Sequence, residues 1–174
     1  MDPRASPGAI QIWPPRGLVG EGWDGFMHSY RQLLYHLVFS TRLREPVLAS
    51  GGRREFFKYV WGIIRNQHGY LYRINAVADH VHILMSIHPS LAVADFVNKI
   101  KSSSSKWIKE AQTFPDFNNW QEGYAIFTHS FHEKNRLIEY IIDQEEHHRT
   151  TSSLDELRGL LQEAGIEFDE KQLI

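Results

Sequence analysis

Residues His80–His88 read HVHILMSIH, and the alternation within this stretch decides the fold. Side chains two positions apart on a β-strand lie on the same face of the sheet. The apolar members of the run therefore share one face: Val81, Ile83, Met85 and Ile87. The other face carries His80, His82, Ser86 and His88, interrupted by Leu84. The stretch predicts a strand with one face packed in a core and one open face, where two imidazoles form a two-point metal clamp.

The elements around this strand predict a ferredoxin-like fold. Hydrophobic periodicity and turn residues place strands at Tyr30–Ser40, Tyr70–Val77, His80–Ile87 and Tyr124–Thr128, and helices at Arg53–Gln67, Leu91–Glu110 and Glu133–His148. Ala78-Asp79 predicts a tight antiparallel hairpin, and Ser90 is a candidate cap of the second helix. The order βαββαβ followed by a helix is typical of an α+β sandwich with an antiparallel four-stranded sheet and helices on one face. We therefore expect the face with the two histidines to be uncovered.

Length and composition indicate one domain. The chain has 174 residues, 42% of them hydrophobic, and no cysteine, which excludes disulfides and thiolate metal sites. No apolar stretch approaches the roughly 20 residues that span a bilayer, so we expect a cytoplasmic protein without a membrane partner. Residues 1–26 carry nine Pro and Gly, and we expect a disordered leader that the fold does not need, with Met27 as an alternative start. The domain is expected over 27–148 and an acidic, amphipathic tail over 149–174.

The charge of the chain is divided unevenly. Residues 28–110 hold 12 Lys and Arg against 5 Asp and Glu, whereas residues 111–174 hold 5 against 13. This asymmetry favours a basic surface for nucleic acid, although solvated helix faces of different sign would give the same counts. The candidates for phosphate contacts are Arg42, Arg44, Arg73, Lys99, Lys101 and Lys106.

The last predicted helix offers a third metal ligand. Tyr140 and Gln144 are four residues apart and hence neighbours on one helix face. The amide oxygen of Gln144 would complete an N,N,O site with His80 and His82, and the Tyr140 phenol would lie beside the ion. A divalent ion can polarise a phosphoryl oxygen, and a tyrosine oxygen can attack phosphorus to form a covalent phosphotyrosine. The combination indicates phosphoryl transfer on DNA.

Each of these residues also has an ordinary explanation. A single His-x-His on a strand is more often structural, and Tyr140 alone would be a packed aromatic side chain. A second set of histidines is a weaker metal candidate: His129, His132, His147 and His148. Two other functions therefore stay open. One is a non-catalytic nucleic-acid-binding regulator on a ferredoxin-like sheet, and the other is a His-metal phosphodiesterase that uses metal-bound water.

Three segments resemble the signatures of the single-tyrosine HUH transposases, the insertion-sequence-two-hundred-like family, in which HUH means His-hydrophobe-His. These segments are NAVADHVHIL at 75–84, WQEGY at 120–124 and YIIDQ at 140–144. The resemblance covers about Tyr30–His148, and Ala78 departs from it where a proline commonly precedes the aspartate. The tail further resembles the branch associated with repetitive extragenic palindromes.

The resemblance implies roles for four residues. His80 and His82 match the metal ligands, Tyr140 matches the nucleophile, and Gln144 matches the residue that completes metal binding. The family cuts and rejoins single-stranded DNA with hairpin ends through a 5′-phosphotyrosine, with Mg²⁺ or Mn²⁺. Its members are typically homodimers in which the tyrosine helix serves the partner's histidine pair. Because imidazole suits Mn²⁺ better than Mg²⁺, we expect Mn²⁺ to bind more tightly.

Overall fold

The structure, a computed structural model, describes residues 30–173, so the leader predicted for residues 1–26 lies outside the described residues. The helices and strands follow in the order β1 (Tyr35–Ser40), α1 (Ser50–Asn66), β2 (Tyr70–Ala76), β3 (His80–Ser86), α2 (Val93–Ala111), β4 (Ala125–Thr128), α3 (Lys134–Ile142), α4 (Gln144–His147) and α5 (Ser153–Glu163). Short 3₁₀ turns lie at Arg42–Arg44, Phe131–Glu133 and Glu170–Gln172. Within the part of the chain that the structure describes, no helix is both long and apolar enough to cross a membrane.

The four strands form one sheet in the order β2-β3-β1-β4, with every neighbouring pair antiparallel. This order confirms the predicted ferredoxin-like α+β sandwich. β2 and β3 form the predicted tight hairpin, in which the Val77 N–H donates to the His80 carbonyl at 3.1 Å. The register sets His82 opposite Val38 on β1 and opposite Asn75 on β2. The histidine pair thus lies on a central strand rather than on a sheet edge.

The main core lies between one sheet face and helices α1 and α2. As predicted, the apolar side chains of β3 and the residue after it are buried there: Val81, Ile83, Met85 and Ile87. The helices contribute Phe56, Phe57, Val60, Ile64, Phe96, Val97, Ile100 and Ile108. Each fully buried side chain of this size stabilises the fold by about 1.5–3 kcal/mol. The two layers therefore fix β3 firmly, and with it the direction of its histidines.

The opposite sheet face is covered, which corrects the expectation of an open face. Leu84 packs with Leu34 on this side and with Leu137 and Ile141 of α3. Further along, two strand residues pack against Leu161 of α5: Val38 and Phe127. Apolar side chains on this face are buried as those on the core face are, by α3 and by α5, which lies in the segment expected to be a tail. The predicted βαββαβ sandwich is thus extended by helices on its second face.

Several element boundaries differ from their predictions. β1 begins at Tyr35 rather than Tyr30. The predicted helix Glu133–His148 is divided at Asp143 into α3 and α4. The break has a cause, because Asn75 Nδ2 donates to the carbonyl oxygens of Ile141 (2.7 Å) and Ile142 (3.2 Å). An amide of the sheet thus satisfies carbonyls at the end of α3 and holds this end against β2.

The prediction that Ser90 caps helix α2 is wrong. The N-cap residue of this helix is Ala92, which makes no side-chain cap. The Ser90 hydroxyl lies instead 2.6 Å from His88 Nδ1, in the loop that precedes the helix.

Candidate active site

His80 begins β3, and its ring is held on one side by the residue before it. Asp79 Oδ1 lies 2.7 Å from His80 Nδ1, and Asp79 Oδ2 accepts from the Ser153 hydroxyl at 2.6 Å. Burial alone would raise the pKa of Asp79, but hydrogen bonds from His80 and Ser153 hold it below its usual value. Because a carboxylate only accepts, His80 donates through Nδ1 and directs its Nε2 lone pair away from Asp79.

His82 is held in the same way by another histidine. His36 Nε2 on β1 lies 2.9 Å from His82 Nδ1, and both side chains are fully buried. Burial lowers the pKa of His82 to about 4 and that of His36 well below 6.5. Both rings are therefore neutral at pH 7, which is the form that binds metal. Sequence analysis missed His36, although a histidine inside an apolar strand was a signal for it.

Tyr140 and Gln144 lie beside this histidine pair within the same chain. The ring centroids of Tyr140 and His82 are 5.9 Å apart. The Tyr140 hydroxyl donates to Glu156 Oε1, and Gln144 Nε2 donates to the same oxygen at 2.8 Å. Burial first, and then the Glu156 charge, raises the pKa of Tyr140 well above 10. The structure thus brings together all four residues that the sequence singled out for catalysis and metal binding.

Glu156 is the centre of the site, and sequence analysis did not identify it. Its Oε2 atom lies 3.0 Å from His148 Nε2, 3.1 Å from His80 Nε2 and 3.3 Å from His82 Nε2. Burial would raise the pKa of Glu156, but the three imidazoles hold it far below its usual value. These four side chains form a cluster that can hold a metal ion. Of the weaker histidine candidates, only His148 joins this cluster, whereas His132 is exposed.

A cavity of about 410 Å³ opens beside His80, between the ends of β1 and β4 and the C-terminal segment. Arg44, Tyr124, Ser153 and Phe168 are among the residues that line it. Of the histidine and Glu156 cluster, only His80 is among the residues that line this cavity. Its lining combines aromatic side chains and Arg44 with three carboxylates: Glu122, Glu167 and Asp169.

Residues 29–144 match a family described as "Transposase IS200 like", and this match spans more than half of the chain. The chain belongs to this family. The resemblance predicted from the three sequence segments is confirmed. The cluster of histidines and Glu156 is thus the candidate active site of a transposase, an enzyme. Two of its members, His148 and Glu156, lie beyond the residues that match the family.

Individual relatives of this transposase agree with the family. The ISDra2 transposase TnpA of Deinococcus radiodurans is 31% identical over 121 residues, which are 65% of this chain and 84% of the relative. The transposase for insertion sequence element IS200 of Salmonella typhimurium is 26% identical over 108 residues, or 58% of this chain and 70% of that protein.

Solved structures share the fold of this transposase. A transposase structure from Deinococcus radiodurans gives a TM-score of 0.54 at 25% identity and covers 67% of this chain and 95% of that one. The structure of a REP-associated tyrosine transposase bound to a REP hairpin gives a TM-score of 0.51 at 13% identity, with coverage of 70% and 74%. The α+β fold is therefore that of solved transposases.

The structure separates the six basic candidates of the transposase into three groups. Arg42 and Arg44 follow β1 near the cavity; Arg42 is exposed, whereas Arg44 donates to the Leu173 carbonyl. Lys99 and Lys106 are exposed on α2, which packs on the sheet face opposite to the cluster. The other two are not free to meet DNA. Arg73 is only 2% exposed, and the Lys101 amine donates hydrogen bonds to the carbonyls of Gln121 and Gly123.

Proposed function

We propose that this transposase nicks and rejoins single-stranded DNA with hairpin ends through a 5′-phosphotyrosine on Tyr140. One observation carries the proposal: the Tyr140 hydroxyl and the Nε2 atoms of His80 and His82 all contact the single carboxylate of Glu156. The nucleophile and the metal clamp are therefore separated by the width of one carboxylate. Phosphoryl transfer needs this spacing, because the attacking oxygen and the charge-neutralising cation act on the same phosphate.

The buried histidines fit a divalent cation. Among the described residues, no hydrogen-bond partner is found for the Nε2 atoms of His80 and His82, although both nitrogens are buried. A buried imidazole nitrogen with no hydrogen bond is costly unless a cation occupies its lone pair. We propose that His80 and His82 hold a divalent ion, Mn²⁺ more tightly than Mg²⁺, and that Gln144 completes the site. When bound, the ion would polarise a phosphoryl oxygen and neutralise the charge that develops there.

The covalent step follows from the position of the phenol. The Tyr140 oxygen forms a bond to the scissile phosphorus, and the bond from phosphorus to the 3′-oxygen of the preceding nucleotide breaks. The phenolic proton passes to Glu156 Oε1, to which the hydroxyl donates, and the released 3′-oxygen takes up a proton from solvent. A 3′-hydroxyl can later attack the phosphotyrosine and restore a phosphodiester, so strand joining needs no external energy source.

The DNA contacts and the oligomeric state are parts of the same proposal. Arg42 and Arg44 would meet phosphates beside the cavity, and Lys99 and Lys106 would meet more distant ones. Binding of hairpin ends is supported by a solved structure with this fold whose ligand is a REP hairpin. The resemblance implies a homodimer, and this stays a prediction. In the structure Tyr140 lies beside the His80 and His82 pair of its own chain, so a partner is not needed to bring them together. Light scattering will measure the state directly.

The test is a denaturing gel with end-labelled single-stranded DNA that carries a hairpin, incubated with full-length protein and Mn²⁺. Cleavage with a covalent protein–DNA adduct is expected. Cleavage without an adduct would favour the His-metal phosphodiesterase, and binding without cleavage would favour the regulator. Either outcome would overturn the phosphotyrosine proposal.

A further inference from the structure

Two side chains from beyond the family-matched residues face the histidine clamp. His148 follows α4 and Glu156 lies on α5, whereas the family match ends at Gln144. Three imidazole nitrogens nevertheless converge on one oxygen of Glu156, at 3.0, 3.1 and 3.3 Å. The side chain of Glu156 is only 3% exposed and that of His148 only 12%. The C-terminal segment therefore closes the site with two potential ligands.

The hydrogen bonds of the rings assign their tautomers. His148 Nδ1 lies 2.8 Å from the Thr151 carbonyl oxygen, which can only accept, so Nδ1 carries the hydrogen. His80 Nδ1 donates to Asp79 for the same reason. In each neutral ring the lone pair is then on Nε2, and it is directed at the Glu156 carboxylate, which is itself only an acceptor. A cation between these atoms removes the repulsion between the lone pairs.

The spacing of the four groups suits a small transition-metal ion. Ligands that surround an ion tetrahedrally at 2.0–2.1 Å are about 3.3 Å from one another. The three nitrogen-to-oxygen distances of 3.0–3.3 Å match this value. All four ligand atoms lie within 4.8 Å of one another, so nitrogens at that separation would approach each other by up to about 1.5 Å to surround an ion tetrahedrally.

We infer that a transition-metal dication is held by His80, His82, His148 and Glu156, and that the ion fastens α5 to the central strand β3. This inference rests on the metal site of the proposed function and deepens it. Gln144 then completes the site of the proposed function as a positioning residue rather than as a direct ligand, because its Nε2 donates to Glu156 Oε1 at 2.8 Å and orients the carboxylate. Three nitrogens and one carboxylate oxygen favour Zn²⁺ and Mn²⁺ over Mg²⁺, which prefers oxygen ligands.

The experiment measures metal binding by the full-length, chelator-treated protein with isothermal titration calorimetry, using Mn²⁺ and Zn²⁺ alone. Glu156→Gln and His148→Gln should each weaken binding at least about tenfold, as removal of a metal contact does. Glu163→Gln on the same helix and His132→Gln should leave binding unchanged, because both residues lie outside the cluster. The melting temperature of each metal-free variant verifies that it is folded.

A second measurement tests the link to α5. Metal should slow proteolysis within residues 149–174 of the wild-type chain and should not do so in Glu156→Gln. Metal binding that depends on His80 but not on Glu156 or His148 would overturn the inference, and so would the absence of metal binding. If the four-ligand site is confirmed but no DNA adduct forms, only the proposed function fails. If the adduct forms and metal affinity does not change in Glu156→Gln and His148→Gln, only this inference fails.

Discussion

His36 Nε2 lies 2.9 Å from His82 Nδ1, and the two buried rings stack with 24° between their planes. This contact across the β1–β3 pairing fixes the orientation of His82 and leaves its Nε2 directed at Glu156. A metal-binding histidine whose second nitrogen is held in this way is a better ligand, because its ring needs no reorientation. His36 thus supports the metal site indirectly, by orienting the ligand His82.

Replacement of His36 by phenylalanine tests this role. His36→Phe retains an aromatic ring of similar size and removes the hydrogen bond to His82, so Mn²⁺ affinity should fall about 10- to 100-fold. The melting temperature of the metal-free protein should change little. Calorimetric titration with Mn²⁺ measures the effect, with the exposed His132→Phe as the matched control. Wild-type affinity in His36→Phe would show that His82 does not need this support.

The sequence predicted the pairs of site residues that lie within a few positions of each other in the chain. His80 and His82 share a face because a strand alternates, and Tyr140 and Gln144 are neighbours because a helix turns. His36 and Glu156 could not be placed in this way, since their contacts depend on strand register and on the docking of α5. Glu156 did leave a signal. It lies four residues before Leu160 on the apolar side of an amphipathic helix, where a carboxylate needs a partner.

An ion pair between the buried Arg53 and the partly exposed Glu145 joins α1 to α4 near the site. Arg53 donates through Nη1 to Glu145 at 2.7 Å and through Nε to the Leu48 carbonyl at 2.8 Å. Glu145→Gln removes the charge that balances a buried guanidinium, and it should lower the free energy of unfolding by about 1–3 kcal/mol. Glu55→Gln breaks the exposed pair with Lys58 and should cost less than about 1 kcal/mol. Urea unfolding compares the two, and equal losses would contradict the distinction.

The exposed lysines of α2 should contribute to DNA affinity through charge alone. Each contact with a phosphate of single-stranded DNA adds about 0.7 to the slope of log affinity against log salt. The double variant Lys99→Ala/Lys106→Ala should therefore bind more weakly at low salt and lose about 1.4 from this slope. Its preference among hairpins should not change, because phosphate contacts carry no sequence information.

Fluorescence anisotropy over a salt series measures this slope. Lys58→Ala on α1 is the control, since Lys58 lies 2.7 Å from a carboxylate oxygen of Glu55, closer than the 3.7 Å that separates Lys106 from Glu110. An unchanged slope in the double variant would remove α2 from the DNA-binding surface. Lys101 is left intact in this test, because its amine holds the loop that contains Gln121 and Gly123.

The stability of the metal-free protein should fall between pH 6.5 and pH 5. Burial holds the pKa of His36 well below 6.5 and that of His82 at about 4, so the unfolded chain binds protons in this window that the folded chain does not. Each such group lowers the unfolding free energy by about 1.4 kcal/mol per pH unit.

Protonation of His80 affects stability in the opposite direction and over a different pH range. Burial lowers its pKa, but Asp79 and Glu156 raise it above 6.5 overall, so its contribution is present below pH 6.5 and is lost at higher pH. Urea unfolding at several pH values measures both effects. His36→Phe should reduce the slope below pH 6.5, and a flat wild-type profile there would contradict the assignment of buried neutral rings.

Tyr140→Phe separates the nucleophile from the rest of the site. The substitution removes one oxygen and retains the ring that packs against the apolar cluster of Leu34, Leu84, Leu137 and Ile141. Gln144 Nε2 still donates to the Glu156 carboxylate, so folding, Mn²⁺ binding and DNA binding should persist. Cleavage and the covalent adduct should both disappear. Tyr72→Phe is the matched control, because Tyr72 packs against the same cluster and should retain full activity.

The other variants should fail in distinguishable ways. His80→Ala and His82→Ala should abolish cleavage together with metal binding, whereas Gln144→Ala should slow cleavage and raise the Mn²⁺ concentration that it needs. One denaturing gel over an Mn²⁺ series separates these outcomes from the loss expected in Tyr140→Phe. An adduct that persists in Tyr140→Phe would mean that another residue attacks the phosphate. Cleavage without an adduct in that variant would mean that water does.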